Sequence, residues 1–242
     1  MKLNRIWVYA GLVLALSTLA FAKIPSLKFT SWMSIKVPEP SDIAMAPDGE
    51  SYYVVSDDQA AVYQLDLDGN VIRKSRTLGI DLEAVCARPD FLYAVDETPR
   101  KVYQLSYENL EVTRTFNVPY SGGRNKGYES ITYNEAKKCF VLITEKDPII
   151  IVELDHDFRQ INELYWKHAR DISSATYHNG FIWLLSDEDM TVFKCDPKNY
   201  AIIQQWRINV HNPEGIVFNG KEMLIIADDL ERLYRFNHPE VQ

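Results

Sequence analysis

Acidic residues recur in this chain at positions where two of them can meet. Asp42, Glu83, Glu129 and Glu214 each stand at the start of an alternating apolar stretch, with Ser173 at the corresponding place in one more such stretch. Asp57, Asp96, Glu145, Asp187 and Asp228 each close the apolar stretch that follows. If the two stretches are neighbouring antiparallel strands, the opening acid and the closing acid come out at the same end of the pair. Repeated around a closed structure, the nine carboxylates and Ser173 would gather at one opening. Crowded carboxylates repel each other and favour protonation, and a hard cation that takes about six to eight oxygen ligands offsets that repulsion. Calcium suits such a set better than zinc. His156, His168, His178, His211 and His238 are scattered, and Cys86, Cys139 and Cys195 form no CxxC pair.

The two columns are not equivalent. An Asp at the end of a strand commonly turns the chain by bonding its own backbone, so the closing acids admit a turn role beside a ligand role. A Glu that opens a strand has little local capping use. Glu83, Glu129 and Glu214 are therefore the leading cation ligands, with Asp96 and Glu145 next, while Asp187 and Asp228 are candidates for contact with a further ligand. The stretch from Pro119 to Gly127 carries Arg124, Asn125 and Lys126, which belong to the same candidate ligand set. Its glycines suit a mobile lid, and its two cations equally suit simple neutralisation of nearby acids.

The elements that must position these residues are legible as five copies of one unit, beginning at Asp42, Glu83, Glu129, Ser173 and Glu214 and spaced 41, 46, 44 and 41 residues apart. Each unit has an alternating strand, a turn, a strongly apolar strand ending in an acid, and a third strand seen in VYQLD, VYQLS, IVELD, VFKCD and LYRFN. Units of about 40 to 45 residues with four strands are propeller blades. A fourth strand is visible in four units, over 71–78, 111–118, 160–166 and 201–210. The fifth unit ends without one, and the β-prone segment from Leu27 to Val37 is the strand expected to close it. Closure removes the open sheet edges that favour aggregation. The reading is all-β, with residues 24–242 as one five-bladed β-propeller and helices nearly absent. The three cysteines read as buried small hydrophobes.

Several of these residues also carry a family likeness. They are Val54-Val55-Ser56-Asp57 with the run from Val62 to Gly69, then Asn125-Lys126-Gly127-Tyr128-Glu129, Glu145-Lys146-Asp147-Pro148 and Pro213-Glu214-Gly215-Ile216. In these the chain resembles the SdiA-regulated family of bacterial proteins over about residues 36–237. The resemblance implies an export or membrane segment followed by a five-bladed propeller distantly similar to NHL repeats, with bound calcium and no assigned reaction.

The ends and the charge bound the setting. Lys2 and Arg5 precede an apolar run from Ile6 to Ala22 that finishes in Ala20-Phe21-Ala22, the pattern of a cleaved secretory signal. The run of 17 residues is also near the lower limit for a membrane span, so an uncleaved inner-membrane anchor is the alternative. Both place the remainder in the periplasm or on the outer face of the inner membrane. The net charge is −8, and loss of residues 1–22 takes away Lys2 and Arg5 and lowers it to −10. Nucleic acid is an unsuitable partner for so acidic a chain.

No GxSxG, P-loop, HExxH or EF-hand pattern is present. The expectation is a calcium-binding, extracytoplasmic module that binds a small molecule or a protein at its acidic mouth. The alternative is a calcium-dependent hydrolase of a glycan or phosphoester, with a pair such as Glu83 and Glu129 as acid and base. Residues 1–30 fused to a reporter active only outside the cytoplasm should give activity, and an inactive reporter with intact expression would refute export. Mature protein beginning at Lys23 would establish cleavage over anchoring.

Overall fold

The computed structural model describes residues 24–118 and 127–241. Residues 1–22, read above as the export segment, and Arg124, Asn125 and Lys126 lie outside the described residues. Among the described residues, twenty strands form five four-stranded antiparallel sheets. The first blade is β2 (Pro40–Met45), β3 (Ser51–Ser56), β4 (Ala61–Asp66) and β5 (Val71–Lys74). The second is β6 (Leu82–Ala87), β7 (Leu92–Asp96), β8 (Lys101–Leu105) and β9 (Val112–Asn117). The third is β10 (Tyr128–Asn134), β11 (Cys139–Thr144), β12 (Ile150–Leu154) and β13 (Gln160–Tyr165), and the fourth is β14 (Ser174–His178), β15 (Phe181–Ser186), β16 (Thr191–Cys195) and β17 (Ile202–Arg207). The fifth blade takes β18 (Pro213–Asn219), β19 (Glu222–Ala227) and β20 (Arg232–Asn237) from its own unit and β1 (Phe29–Ser34) from the beginning of the described chain. A single 3-10 turn follows at Pro239–Val241. The fold is the five-bladed propeller that the repeat pattern predicts, closed by the strand expected to close it.

The strands follow from burial on both faces. In each blade the second strand is almost wholly buried, as in the CFVLIT of β11 and the FIWLLS of β15, which is why these segments read as near-continuous apolar runs. Outer strands such as β13 and β1 are mostly exposed. The acid that ends a third strand caps the following turn: Asp66 accepts from the backbone N–H of Asp68 and Asn70, and Asp155 from Asp157 and Arg159. Cys86, Cys139 and Cys195 are buried free thiols.

The core is divided into five apolar clusters, one in each seam between blades. The segment that closes the ring serves two of them. Trp32 pairs with Tyr234 and Met33 with Leu233 across the β1–β20 ladder. Before β1, the Leu27 N–H donates to the Arg207 carbonyl at 2.8 Å and Leu27 is buried with Trp183, Trp206 and Phe236 in the seam between the fourth and fifth blades. After β1, Ile35 and Val37 are buried with Ile43, Val54 and Leu224 in the seam between the fifth and first.

Leu27→Ala should therefore cost about 2–5 kcal/mol, the usual range for a buried Leu truncated to Ala. In a chain of this size that lowers Tm by roughly 2–4 °C per kcal/mol. A chain beginning after Val37 should lose both seams and aggregate. Scanning calorimetry and size-exclusion chromatography check the two, and a truncated chain that stays monomeric with unchanged Tm would refute this role.

Candidate functional site

The first strands β2, β6, β10, β14 and β18 line the axis of the ring, and their N-terminal ends form one mouth. In four of them the pairing with the second strand is irregular at one residue: the ladder skips Ser41, Glu83, Glu129 and Glu214. A bulge of this kind turns one side chain out of the alternation, and bulges are frequent beside binding sites for that reason. In the fourth blade β14 begins at Ser174 and Ser173 sits just ahead of it. The first column of the mouth is therefore Ser41, Glu83, Glu129, Ser173 and Glu214. It departs from the sequence expectation at the first blade, where Ser41 takes the place given to Asp42.

Asp42 lies one layer deeper. Its Oδ2 accepts from the Val85 N–H at 2.9 Å in the second blade, and its Oδ1 accepts from the Ser174 hydroxyl at 2.7 Å in the fourth. Ser174 Oγ in turn accepts from the Ile216 N–H at 3.1 Å in the fifth. Four blades are thus tied together across the axis. Gly215 makes this possible, because a Cβ there would come within 2.9 Å of the Ile43 nitrogen and 3.0 Å of the Asp42 Cα. Burial, above all, holds the Asp42 carboxyl well above the usual carboxylate range. Ser173, in the mouth column, donates to the Pro213 carbonyl at 2.8 Å and joins the same stitching.

The second column also shifts by one residue in one blade. Asp96 is buried under the rim, where its carboxylate accepts from the N–H groups of Ile80 and Asp81 and from the Tyr103 hydroxyl. Only glycine fits at position 79, since a Cβ there would lie 2.1 Å from Asp96 Oδ2. The residue that joins the mouth is Glu97, whose Oε1 accepts from the Gly127 N–H at 2.6 Å. Asp57, Glu97, Asp187 and Asp228 each begin a tight turn through their backbone carbonyls, which accept from the N–H groups of Ala60, Arg100, Met190 and Glu231. The side-chain capping in two of these turns comes from the residue before: the Gln59 N–H donates to Ser56 Oγ at 3.3 Å, and the Asp189 N–H to Ser186 Oγ at 3.1 Å. The acids are turn residues by their backbone, and their carboxylates remain at the mouth.

Glu39, Asp81 and Asp171 were not anticipated as members of this group. Each lies two residues ahead of a first-column position, where the chain enters the inner strand, and that spacing was the available signal. Asp81 Oδ2 accepts from the Thr98 N–H at 3.1 Å and from its hydroxyl. Asp171 accepts from the Ser186 hydroxyl and from the N–H groups of Asp187 and Glu188.

The result is an open cavity of about 230 Å³ lined by Glu39, Ser41, Asp57, Glu83, Glu129, Glu145, Glu214 and Asp228. Lys146 contacts Glu145 at 2.5 Å and Glu188 at 3.2 Å, and Arg170 pairs with Asp189 at 2.7 Å, so the third and fourth blades bring cations to their acids. Between the first and second blades the carboxylates face one another: oxygens of Asp57, Asp81 and Glu83 lie within 4.8 Å of each other. Burial, then mutual repulsion, raises the acids of the mouth. Glu129 is pushed up to about 10, Glu214 to about 8, Glu97 to about 7 and Asp57 to about 6. Glu83 is driven well up by burial and then by Asp57 and Asp81. Ser130, next to Glu129 and fully buried, has a hydroxyl oxygen with no hydrogen-bond partner among the described residues.

With this geometry in view, residues 33–237 match the model of a family described as SdiA-regulated. Among solved structures, the chain is similar to Myxococcus xanthus glutaminyl cyclase at a TM-score of 0.71 and 14% identity, over 88% of this chain and 96% of that one. It is also similar to selenomethionine-substituted virginiamycin B lyase from Staphylococcus aureus at a TM-score of 0.52 and 14% identity, over 82% of this chain and 66% of that one. At these identities the likeness is one of fold.

Carboxyls whose folded pKa is raised bind protons more tightly in the native state, so their contribution is present at low pH and is lost as pH rises from the unfolded value towards the folded one. In chelator, Tm should fall as pH rises from about 5, the Asp57 contribution being spent near pH 6 and those of Glu97, Glu214 and Glu129 near 7, 8 and 10. Glu129→Gln should flatten the alkaline part of that decline and melt higher than wild type at pH 8. A Tm that climbs from pH 5 to pH 8 in chelator would overturn the assignment.

Proposed function

The chain belongs to the SdiA-regulated family, and we propose that it is a calcium-binding propeller of the extracytoplasmic space whose acidic mouth binds a ligand or a protein partner through the bound ion. The observation that carries this reading is the convergence of Asp57, Asp81 and Glu83 within one ion's reach. Two like charges about 5 Å apart cost about 3 kcal/mol at an effective dielectric near 20, and a divalent cation reverses the sign of that interaction. Calcium takes oxygen ligands at about 2.3–2.6 Å in flexible geometry, which suits carboxylates from three different loops and strands better than the tetrahedral nitrogen and sulfur set of zinc. Glu83 and Asp57 would hold the ion from two blades, Asp81 would steady it from the rim, and Glu129, Glu214 and Glu145 would complete the negative wall around it.

The crowding of the cavity favours binding over hydrolysis. A two-carboxylate glycosidase needs a pair set apart for acid and base. Glu83 and Glu129 instead stand among acids that all shift in the same direction.

Delivery outside the cytoplasm rests on the charged and apolar run of residues 1–22. Among the described residues no helix is long and apolar enough to cross a membrane. Extracellular calcium modules work with dissociation constants of about 10⁻⁴–10⁻³ M, so the ion is expected to bind in the millimolar range.

A ligand bound only by the folded state adds roughly 2.7 kcal/mol when it is a hundredfold above Kd. Saturating calcium should therefore raise Tm by roughly 5–10 °C over chelator, at roughly 2–4 °C per kcal/mol. Glu83→Gln and Asp57→Asn should each lose most of that gap. Glu135→Gln, on the other face, should keep it. Identical melting of wild type with saturating calcium and with chelator would sink the proposal.

A further inference from the structure

The ring has a second end. Where the N-terminal halves of the inner strands carry the acids, their C-terminal halves line a cavity of about 200 Å³ that runs up the axis from the opposite face. Its floor is the layer above which Asp42 and Ser174 tie the blades together across the axis, with Ile43, Val85, Ala175 and Val217 around it. Its wall towards the outside is aromatic: Tyr133, Tyr177, His178 and Phe218 come from three different blades.

The wall and the lip differ in charge. The His178 ring stacks on Phe218 at 4.2 Å and 5°, and burial, then His238, lowers its pKa to about 4, so it is neutral near pH 7. Its Nε2 is buried with no hydrogen-bond partner among the described residues. At the lip, the Arg88 guanidinium lies over the Tyr133 ring at 3.7 Å, which fixes it against the aromatic wall. Glu135 is shared between two cations: Oε1 takes Arg88 Nη1 and Oε2 takes Lys138 Nζ at 2.8 Å. Arg88 and Lys138 thus share one carboxylate at the lip.

We propose that this end of the channel is a blind binding pocket for a small planar monocarboxylate, the ring packed against Tyr177, the partly exposed member of the aromatic wall, and the carboxylate on Arg88. Planar guanidinium is the group best matched to a carboxylate, and Arg88 is preorganised by Tyr133 to offer its free edge. The volume admits one ring with a short acidic substituent. The pocket and the acidic mouth lie at opposite ends of the inner strands, so the two proposals stand or fall separately.

Benzoate is the probe, with benzyl alcohol as its neutral counterpart, followed by saturation-transfer NMR and calorimetry on the full-length protein. Benzoate should bind at least tenfold more tightly than benzyl alcohol. Arg88→Gln should remove that preference while leaving the alcohol's weak binding in place. Thr176→Phe, at a partly exposed position on the pocket wall, should abolish binding of both and serves if Arg88→Gln does not fold. No saturation transfer to benzoate at millimolar concentration, equal binding of benzoate and benzyl alcohol to wild type, or undiminished benzoate binding by either variant would overturn the proposal.

Discussion

Five inner strands share one axis, and the rest of the molecule is arranged around what that convergence imposes. Any side chain that one blade sends to the axis is met by its counterparts from the other four. Apolar counterparts would leave the inner edges of the first strands, with their unpaired N–H and C=O groups, without partners. The chain answers with polar groups placed layer by layer. At one depth Asp42 accepts from the Val85 N–H and the Ser174 hydroxyl, and Ser174 accepts from the Ile216 N–H across the ring. One residue nearer the mouth, the bulged Glu83, Glu129 and Glu214 crowd together.

The crowding is tolerated because stability comes from elsewhere. The seams between blades hold the buried apolar side chains, and the segment around β1 contributes to two of them. A ring sealed in this way can keep acids in unfavourable protonation states at its mouth, since no single blade can move away to relieve the repulsion. Rigid, closely packed surroundings are what hold a set of like charges together. The opposite end uses the same inner strands differently. There the wall is aromatic, and Arg88 and Lys138 share the Glu135 carboxylate at the lip.

Much of this was legible beforehand. Five units with matching strands, turns and acids specify five blades, because only a closed ring gives every unit the same neighbours. The missing fourth strand of the last unit and the spare strand from Leu27 to Val37 specify the closure, since unpaired edges are costly. The acids at Glu83, Glu129, Glu145, Asp187, Glu214 and Asp228 were recognisable from their repeated places, and the structure brings Glu83, Glu129, Glu145 and Glu214 to one cavity with Asp57 and Asp228.

Register was the part that the pattern could not carry. An alternating stretch shows which residues share a face and does not show where one residue is inserted, and a single bulge moves every later side chain to the other face. Asp42 and Ser41 are neighbours in sequence, as are Asp96 and Glu97, and in each pair the ladder decides which one reaches the mouth. Glu39, Asp81 and Asp171 lie in the segments leading into the inner strands, outside the strand alternation, and only their spacing of two residues ahead of the first column marks them. The amino-acid sequence determined the number of blades, their closure and the acidic character of the mouth, because these follow from composition repeated at a fixed interval. Only the tertiary structure decided which carboxylates face one another and what the far end of the channel presents, because those depend on bulges and on side chains contributed by blades distant in the chain.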